Sequence, residues 1–155
     1  MELALRDILT EGNPMLRRVS RPVTAFDSRL RELVKDMKQT LRHAEGAGLA
    51  APQVGILRRV VVIDIGEGAF ELVNPVMVEK SGEQECVEGC LSVPGKRGKT
   101  RRPARVTVEA FDHRGNPVRI EGEGLLALAL CHELDHLDGR LYIDIVEGPL
   151  WEVDE

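Results

Sequence analysis

Downstream of Asp27, Leu30, Leu33, Val34, Met37 and Leu41 recur at helical spacing while Arg31, Glu32, Lys35, Asp36 and Lys38 fill the other face. The pattern predicts a surface amphipathic helix, capped by Asp27 and ending near Gly46, with His43 complementing the dipole of its last turn. Upstream, Asn13-Pro14 reads as the cap and first position of a short helix or turn, which Arg21-Pro22-Val23 breaks. Residues 59–65 are rich in valine and isoleucine and predict a strand buried on both faces. Two more short strands are expected at 70–75 and 76–80, kinked at Pro75. Residues 105–112 alternate as a half-buried strand, and a turn at 113–116, with His113 exposed in it, folds the chain back into 117–121 as a hairpin. The last strong pattern is a run of helix formers, apolar on almost every side, from Leu125 through His136, opened by Gly122 and Gly124 and closed at Asp138-Gly139. It reads as a buried helix. Together these elements predict an α+β fold, with short, mostly antiparallel strands packed around the second helix and the first helix outside them. No repeat or linker divides the chain, so residues 1–155 are expected to form one domain.

The buried helix also carries chemistry. Its stripe Leu125, Leu128, Ala129, His132, His136 begins as hydrophobic wall and ends in two histidines one turn apart, with Glu133 beside them. Such a pair can hold one metal ion at the end of an apolar pocket. The plainer alternative is two core histidines bonded to carbonyls, but an acid rarely enters a core without a partner or a task. A catalytic metal usually takes three protein ligands and keeps one open position. The HExxHxxGxxH continuation fails, because Tyr142 stands where its third histidine should be, and Gly148-Pro149 interrupts the chain beyond. The third ligand is therefore sought upstream, where Cys90, in Glu88-Gly89-Cys90-Leu91-Ser92, is the strongest candidate. Cys86 could share a metal with Cys90 only on a helix, and Cys131 points to another helix face, as a small buried residue.

Composition narrows the partners. A net charge of −5 gives no overall reason for nucleic-acid binding, and 3% aromatic residues argue against base-stacking platforms, so no specific DNA partner is expected. The opening Met1-Glu2-Leu3-Ala4-Leu5-Arg6-Asp7 lacks the pattern of a secretory or transit signal, and no span suits a membrane, so the cytoplasm is expected. Three cysteines in such a chain suggest free thiols or metal ligands. The cluster Lys96, Arg97, Lys99, Arg101, Arg102 and Arg105 reads first as a solvated loop, and second as a contact for an anionic partner such as a peptide carboxylate or ribosomal RNA. Residues 46–55, rich in glycine and alanine and carrying the amide of Gln53, suit either the lining of a narrow site or a tight connection.

Three motifs, GAGLAAPQVG, EGCLS and HELDH, stand in the order and at about the separations found in peptide deformylases, and the chain resembles that family from Asn13-Pro14 through Tyr142. The resemblance implies a hydrolase that removes the formyl group from the N-terminal formylmethionine of newly made proteins. Cys90, His132 and His136 would hold one divalent metal, ferrous iron in the cell, with zinc, nickel or cobalt able to substitute. Metal-bound water would attack the formyl carbonyl, Glu133 taking its proton and delivering it to the leaving amine, while the Gln53 amide and the Leu91 N–H stabilise the oxyanion. Leu125, Leu128 and Ala129 would wall the methionine slot, with Ala47, Gly48, Cys86 and Gly89 close by. Arg102 and Asp135 would pair behind the ligands. Many family members have Gln where this chain has Cys131, which would put a second, oxidisable thiol beside the site. Many bacterial members also continue into a C-terminal helix that docks on the ribosome, whereas this sequence stops at Leu150-Trp151-Glu152-Val153-Asp154-Glu155, so at most a transient ribosome contact is expected. Another metal-dependent amidase or peptidase, or a structural or sensory metal module, would be the competing readings. The module would want a fourth protein ligand and has no use for Glu133.

Overall fold

The computed structural model describes residues 5–154; of the stretch 1–7 read for a targeting signal, the first four residues lie outside them, as does the last residue, Glu155. Local signals fix the first elements. Asn13 Oδ1 accepts from the Met15 N–H at 3.0 Å and starts a 3-10 helix at Pro14–Arg17. Asp27 Oδ1 accepts from the Leu30 N–H at 3.0 Å and starts helix α1, Ser28–Ala44, which stops at a left-handed Glu45. The 46–55 stretch becomes a short strand, β1 (Gly48–Ala50), followed by a 3-10 helix at Ala51–Val54. Next come β2 (Val60–Ile63), β3 (Phe70–Ser81), β4 (Gln84–Cys90), β5 (Val93–Arg102), β6 (Arg105–Phe111), β7 (Pro117–Glu123), helix α2 (Leu125–Leu137) and β8 (Trp151–Glu152). All strand pairs are antiparallel, in one sheet of order β1-β2-β3-β6-β7 and another of order β4-β5-β8. The protein is thus α+β, and among the described residues no helix is long and apolar enough to cross a membrane.

The alternation of β2 explains how the larger sheet is covered. Val60 and Val62 face the cluster that contains Leu30, Leu33, Met37 and Leu41 of α1, while Val61 and Ile63 face the cluster that contains Ala127, Ala129 and Leu130 of α2. A strand whose successive side chains point to opposite faces needs a helix on each side, and has one. Gly122 of β7 lets α2 lie close, because a Cβ there would sit 2.8 Å from Leu126 Cγ.

Three expectations change. The two strands foreseen at 70–75 and 76–80 are one continuous strand, β3, with a bulge rather than a break: its register against β6 skips between Val73 and Val76. Asn74 sits there at φ 52°, its side chain bonded to the Val23 N–H (2.8 Å) and C=O (2.9 Å), and Pro75, which has no N–H to donate, falls where the ladder makes no demand. The basic stretch is not a solvated loop. It is β5 and the start of β6, with its cations set beside carboxylates: Lys96 pairs with Glu152 (2.9 Å), Arg101 with Glu147 (3.0 Å) and Arg105 with Glu123 (3.2 Å) at the surface, and Arg102 with Glu88 (2.7 Å) in the interior. His113 is half-buried rather than exposed. The β3–β6 pairing sets its turn over Glu71, whose carboxylate bonds both the His113 ring and its N–H and also takes Lys38 Nζ at 2.7 Å.

Candidate active site

Helix periodicity puts His132 and His136 on one face of α2, and the end of β4 brings Cys90 to them. The ligating atoms of the three residues lie within 4.8 Å of one another, with Cys90 Sγ 3.3 Å from His136 Nε2. A thiol and two imidazoles, closely grouped and with no fourth protein donor in the group among the described residues, suit a late first-row divalent metal with a position left open.

Behind the histidines is a charged network that the sequence showed only in part. His132 Nδ1 meets Glu88 Oε1 at 2.7 Å, which turns the other ring nitrogen towards the cysteine. Arg102 grips the same carboxylate through Nε (2.7 Å) and Nη2 (2.8 Å), reaches Asp135 through Nη1 (2.7 Å), and the Thr100 hydroxyl completes the set. Burial alone would raise the Glu88 carboxyl, but the bonds from His132 and Arg102 outweigh it and hold it at about 2. Arg102 and Asp135 pair as the resemblance implied; Glu88 joins them to the ligand. On β4 it faces inward with Cys86, two residues away, an orientation that the sequence alone did not reveal.

The remaining groups arrive from the first sheet. Gln53 is buried and pinned at both ends, Oε1 accepting from the Ala50 N–H (2.9 Å) and Nε2 donating to Ser92 Oγ (3.0 Å) with Cys90 Sγ at 3.7 Å. Gly48 runs so close to Glu133 that a Cβ there would lie 2.5 Å from Oε2. Only glycine leaves the carboxylate its place. Glu133 is itself buried, its Oε1 has no hydrogen-bond partner among the described residues, and burial, partly opposed by His132, raises its carboxyl to about 7. Ser92 and Thr100, which the sequence did not single out, serve as anchors for Gln53 and Glu88.

A cleft of about 580 Å³ opens over these groups. Ala47, Gly48, Gly89, Cys90, Leu91, Leu125, Leu128, Ala129, His132 and Glu133 line it, together with Val87 and Arg97, which sequence reasoning had not placed there. Gly89 makes room for Arg97, whose guanidinium would collide with any Cβ at that position. Gln53 and Cys86 are not among the residues lining the cleft: Gln53 is buried beside Cys90, its Nε2 3.7 Å from Sγ, and Cys86 is buried in β4 opposite Thr100. Cys131 also lies outside it. The thiol is packed into the α2 core cluster and burial raises it to about 11, so the second oxidisable thiol foreseen beside the site is instead an inert core residue.

Two helical histidines, an upstream thiolate and an unpartnered acid between them form the donor set of a metal-dependent hydrolase. Comparison with known proteins agrees. Residues 5–149 match the polypeptide deformylase family. Peptide deformylase of Acetivibrio thermocellus is 54% identical over 144 residues, covering 93% of this chain and 85% of that protein. Among solved structures, peptide deformylase from Thermotoga maritima superposes with a TM-score of 0.91 at 39% identity over 93% of this chain and 99% of the other. The Synechococcus elongatus enzyme, solved in complex with actinonin, gives 0.89 at 40% identity over 92% and 79%. The chain belongs to the polypeptide deformylase family, metal-dependent enzymes that remove the N-formyl group from nascent peptides.

Proposed function

We propose that Cys90, His132 and His136 hold one ferrous ion, that Glu133 is the general base and acid of deformylation, and that the whole chain acts as a single cytoplasmic catalytic domain arranged around α2. The observation that carries this reading is the convergence of the three ligating atoms within 4.8 Å beside an unpartnered Glu133 oxygen. Zinc, nickel or cobalt would fit the same thiolate and imidazoles. A bound divalent ion supplies Lewis acidity, lowering the pKa of water towards about 7 and polarising a carbonyl.

The chain's own groups do the rest. Glu133 Oε1 accepts the proton of the attacking water and returns it to the leaving amine, as a buried carboxyl with a free oxygen beside the ligands can do. The Gln53 amide, held by Ala50 and Ser92, and the Leu91 N–H donate to the carbonyl oxygen as it becomes negative, an effect of roughly 3 kcal/mol per donor. Gly48 and Gly89 keep the cleft narrow over the formyl group, Ala47 adjoins them, and Leu125, Leu128 and Ala129 take the methionine side chain, with Cys86 as backing behind the lining. Contact with the ribosome would be transient.

Formate release from formyl-Met-Ala-Ser, by protein purified without air and loaded with ferrous iron or nickel, tests the reading. Wild type should turn over. Glu133→Ala should lose on the order of 10²–10⁴-fold in kcat while metal content stays near one per chain. Bound metal with no formate from either protein would point to another amidase or to a structural metal module.

A further inference from the structure

Tyr142 stands where an HExxHxxGxxH sequence would carry its third histidine, and the fold brings it to the same centre in another capacity. The residue is buried, and its ring stacks on the ring of His132, with centroids 6.0 Å apart and planes inclined by 27°. An aromatic pair at that separation and angle attracts.

His132 is therefore held from three directions. Glu88 Oε1 meets its Nδ1 at 2.7 Å, the His136 ring approaches edge-on with centroids 5.1 Å apart and planes at 64°, and Tyr142 covers a face. The three holds do different work. A hydrogen bond at Nδ1 fixes one atom of the imidazole and leaves the ring able to tip about the line of that bond. His136 belongs to the same ligand group and presents no parallel plane. Tyr142, lying nearly parallel to the imidazole, is the neighbour that opposes tipping.

A support must itself be fixed, and this one is. Tyr142 opens the 3-10 helix Tyr142–Asp144. Asp144 Oδ2 accepts from the Leu141 N–H at 3.0 Å and pairs with Arg17 Nη1 at 2.6 Å, which ties the turn to the first 3-10 helix of the chain. On the other side lies Gly98 of β5. A Cβ there would come within 3.4 Å of Tyr142 Cε2 and 2.6 Å of Val146 Cγ1, so glycine lets the segment after α2 lie close on the strand.

We infer that Tyr142 is a positioning residue for deformylation: its ring holds the His132 imidazole at the tilt that aims Nε2 into the group formed with Cys90 and His136. The inference rests on the reading of those three residues as metal ligands. Tyr142 is not among the residues lining the cleft, so its effect reaches substrate only through His132.

The test uses cobalt(II) as the probe, with affinity read by chelator competition and ligand geometry by the visible d–d bands, in wild type, Tyr142→Leu, Tyr142→Phe and Leu72→Ala. Leu72→Ala opens a cavity in the core cluster and serves as the control for lost stability. Tyr142→Leu should bind cobalt roughly tenfold more weakly, with altered d–d bands. At saturating metal its kcat for formyl-Met-Ala-Ser should fall severalfold while KM stays unchanged. Tyr142→Phe, which keeps the ring, should restore affinity, spectrum and kcat. Leu72→Ala should unfold in less urea than wild type yet keep the wild-type affinity and spectrum. Wild-type affinity and bands in Tyr142→Leu, failure of Tyr142→Phe to restore them, or an equal loss in Leu72→Ala would overturn the inference. Should Tyr142→Leu not fold, Tyr142→Met is read by the same criteria. Absence of cobalt from wild type would sink the metal-site reading and the inference together. Cobalt bound by wild type without formate release would sink only the deformylase reading and leave affinity and spectrum to decide on Tyr142.

Discussion

Replacing Glu88 with alanine would remove the Nδ1 partner of His132 and both anchors of the Arg102 fork at once. Arg102 is only 6% exposed, so its charge would stay buried with Asp135 alone. We expect Glu88→Ala to cost about 3–5 kcal/mol in chemical denaturation. Metal affinity, read by chelator competition, should fall roughly 10–100-fold because the His132 ring is no longer held. A destabilised variant with unchanged affinity would mean that Glu88 supports the fold without orienting the ligand. At this scale the sequence was most informative where chemistry is local. His132, Glu133 and His136 follow from helix spacing, and Cys90 from the exclusion of downstream ligands. Glu88 escaped because its role depends on which way β4 faces and on an arginine 14 residues later; helix spacing put Cys131 on another face as a small buried residue, as found, and only the comparison with family members that have Gln there suggested a thiol beside the site.

Asn74 does the same kind of work for an element that Glu88 does for a ligand. Its φ of 52° bends β3, and its side chain ties the bulge to Val23 by two bonds. Asn74→Ala should destabilise by on the order of 2–3 kcal/mol, combining left-handed strain with lost hydrogen bonds. Asn74→Gly should cost less, since glycine accepts the backbone angle and loses only the bonds; urea denaturation of the pair separates the two contributions. Elements with a single dominant period were legible: α1 from its apolar stripe and Asp27 cap, β2 from its valines, the β6–β7 hairpin from alternation and turn. β3 was split because Pro75 is visible as a breaker, whereas the bond partners of Asn74 lie 51 residues away. β5 was hidden because its strand pairs with β4, whose residues carry no local mark of that pairing, and because Arg102 looks solvated until the buried Glu88 is set beside it.

Across the whole molecule, Glu71 joins α1, β3 and the β6–β7 turn through Lys38 and His113. Burial would raise its carboxyl, but those bonds lower it to about 2 from an ordinary 4.5. A depressed carboxyl contributes stability that is full above its unfolded value and is lost as pH falls through its folded one. The melting temperature should therefore drop as pH falls from about 4.5 towards about 2, and the drop should be shallower in Glu71→Gln. Equal slopes would show that other carboxylates govern acid stability. The fold class could be read from the order of helices and strands, but the division into two sheets could not, because strand register over long separations leaves no local trace. The same separations govern the proposed catalytic centre. Gln53 reaches Cys90 across 37 residues, Cys90 reaches His136 across 46, and Glu88 reaches His132 across 44. α2 can form within about a microsecond, but these contacts come only with long-range closure, late in folding. During its own synthesis the protein therefore passes through a chemically silent period: until His136 and everything before it have emerged and docked, a copy of this chain can deformylate nothing.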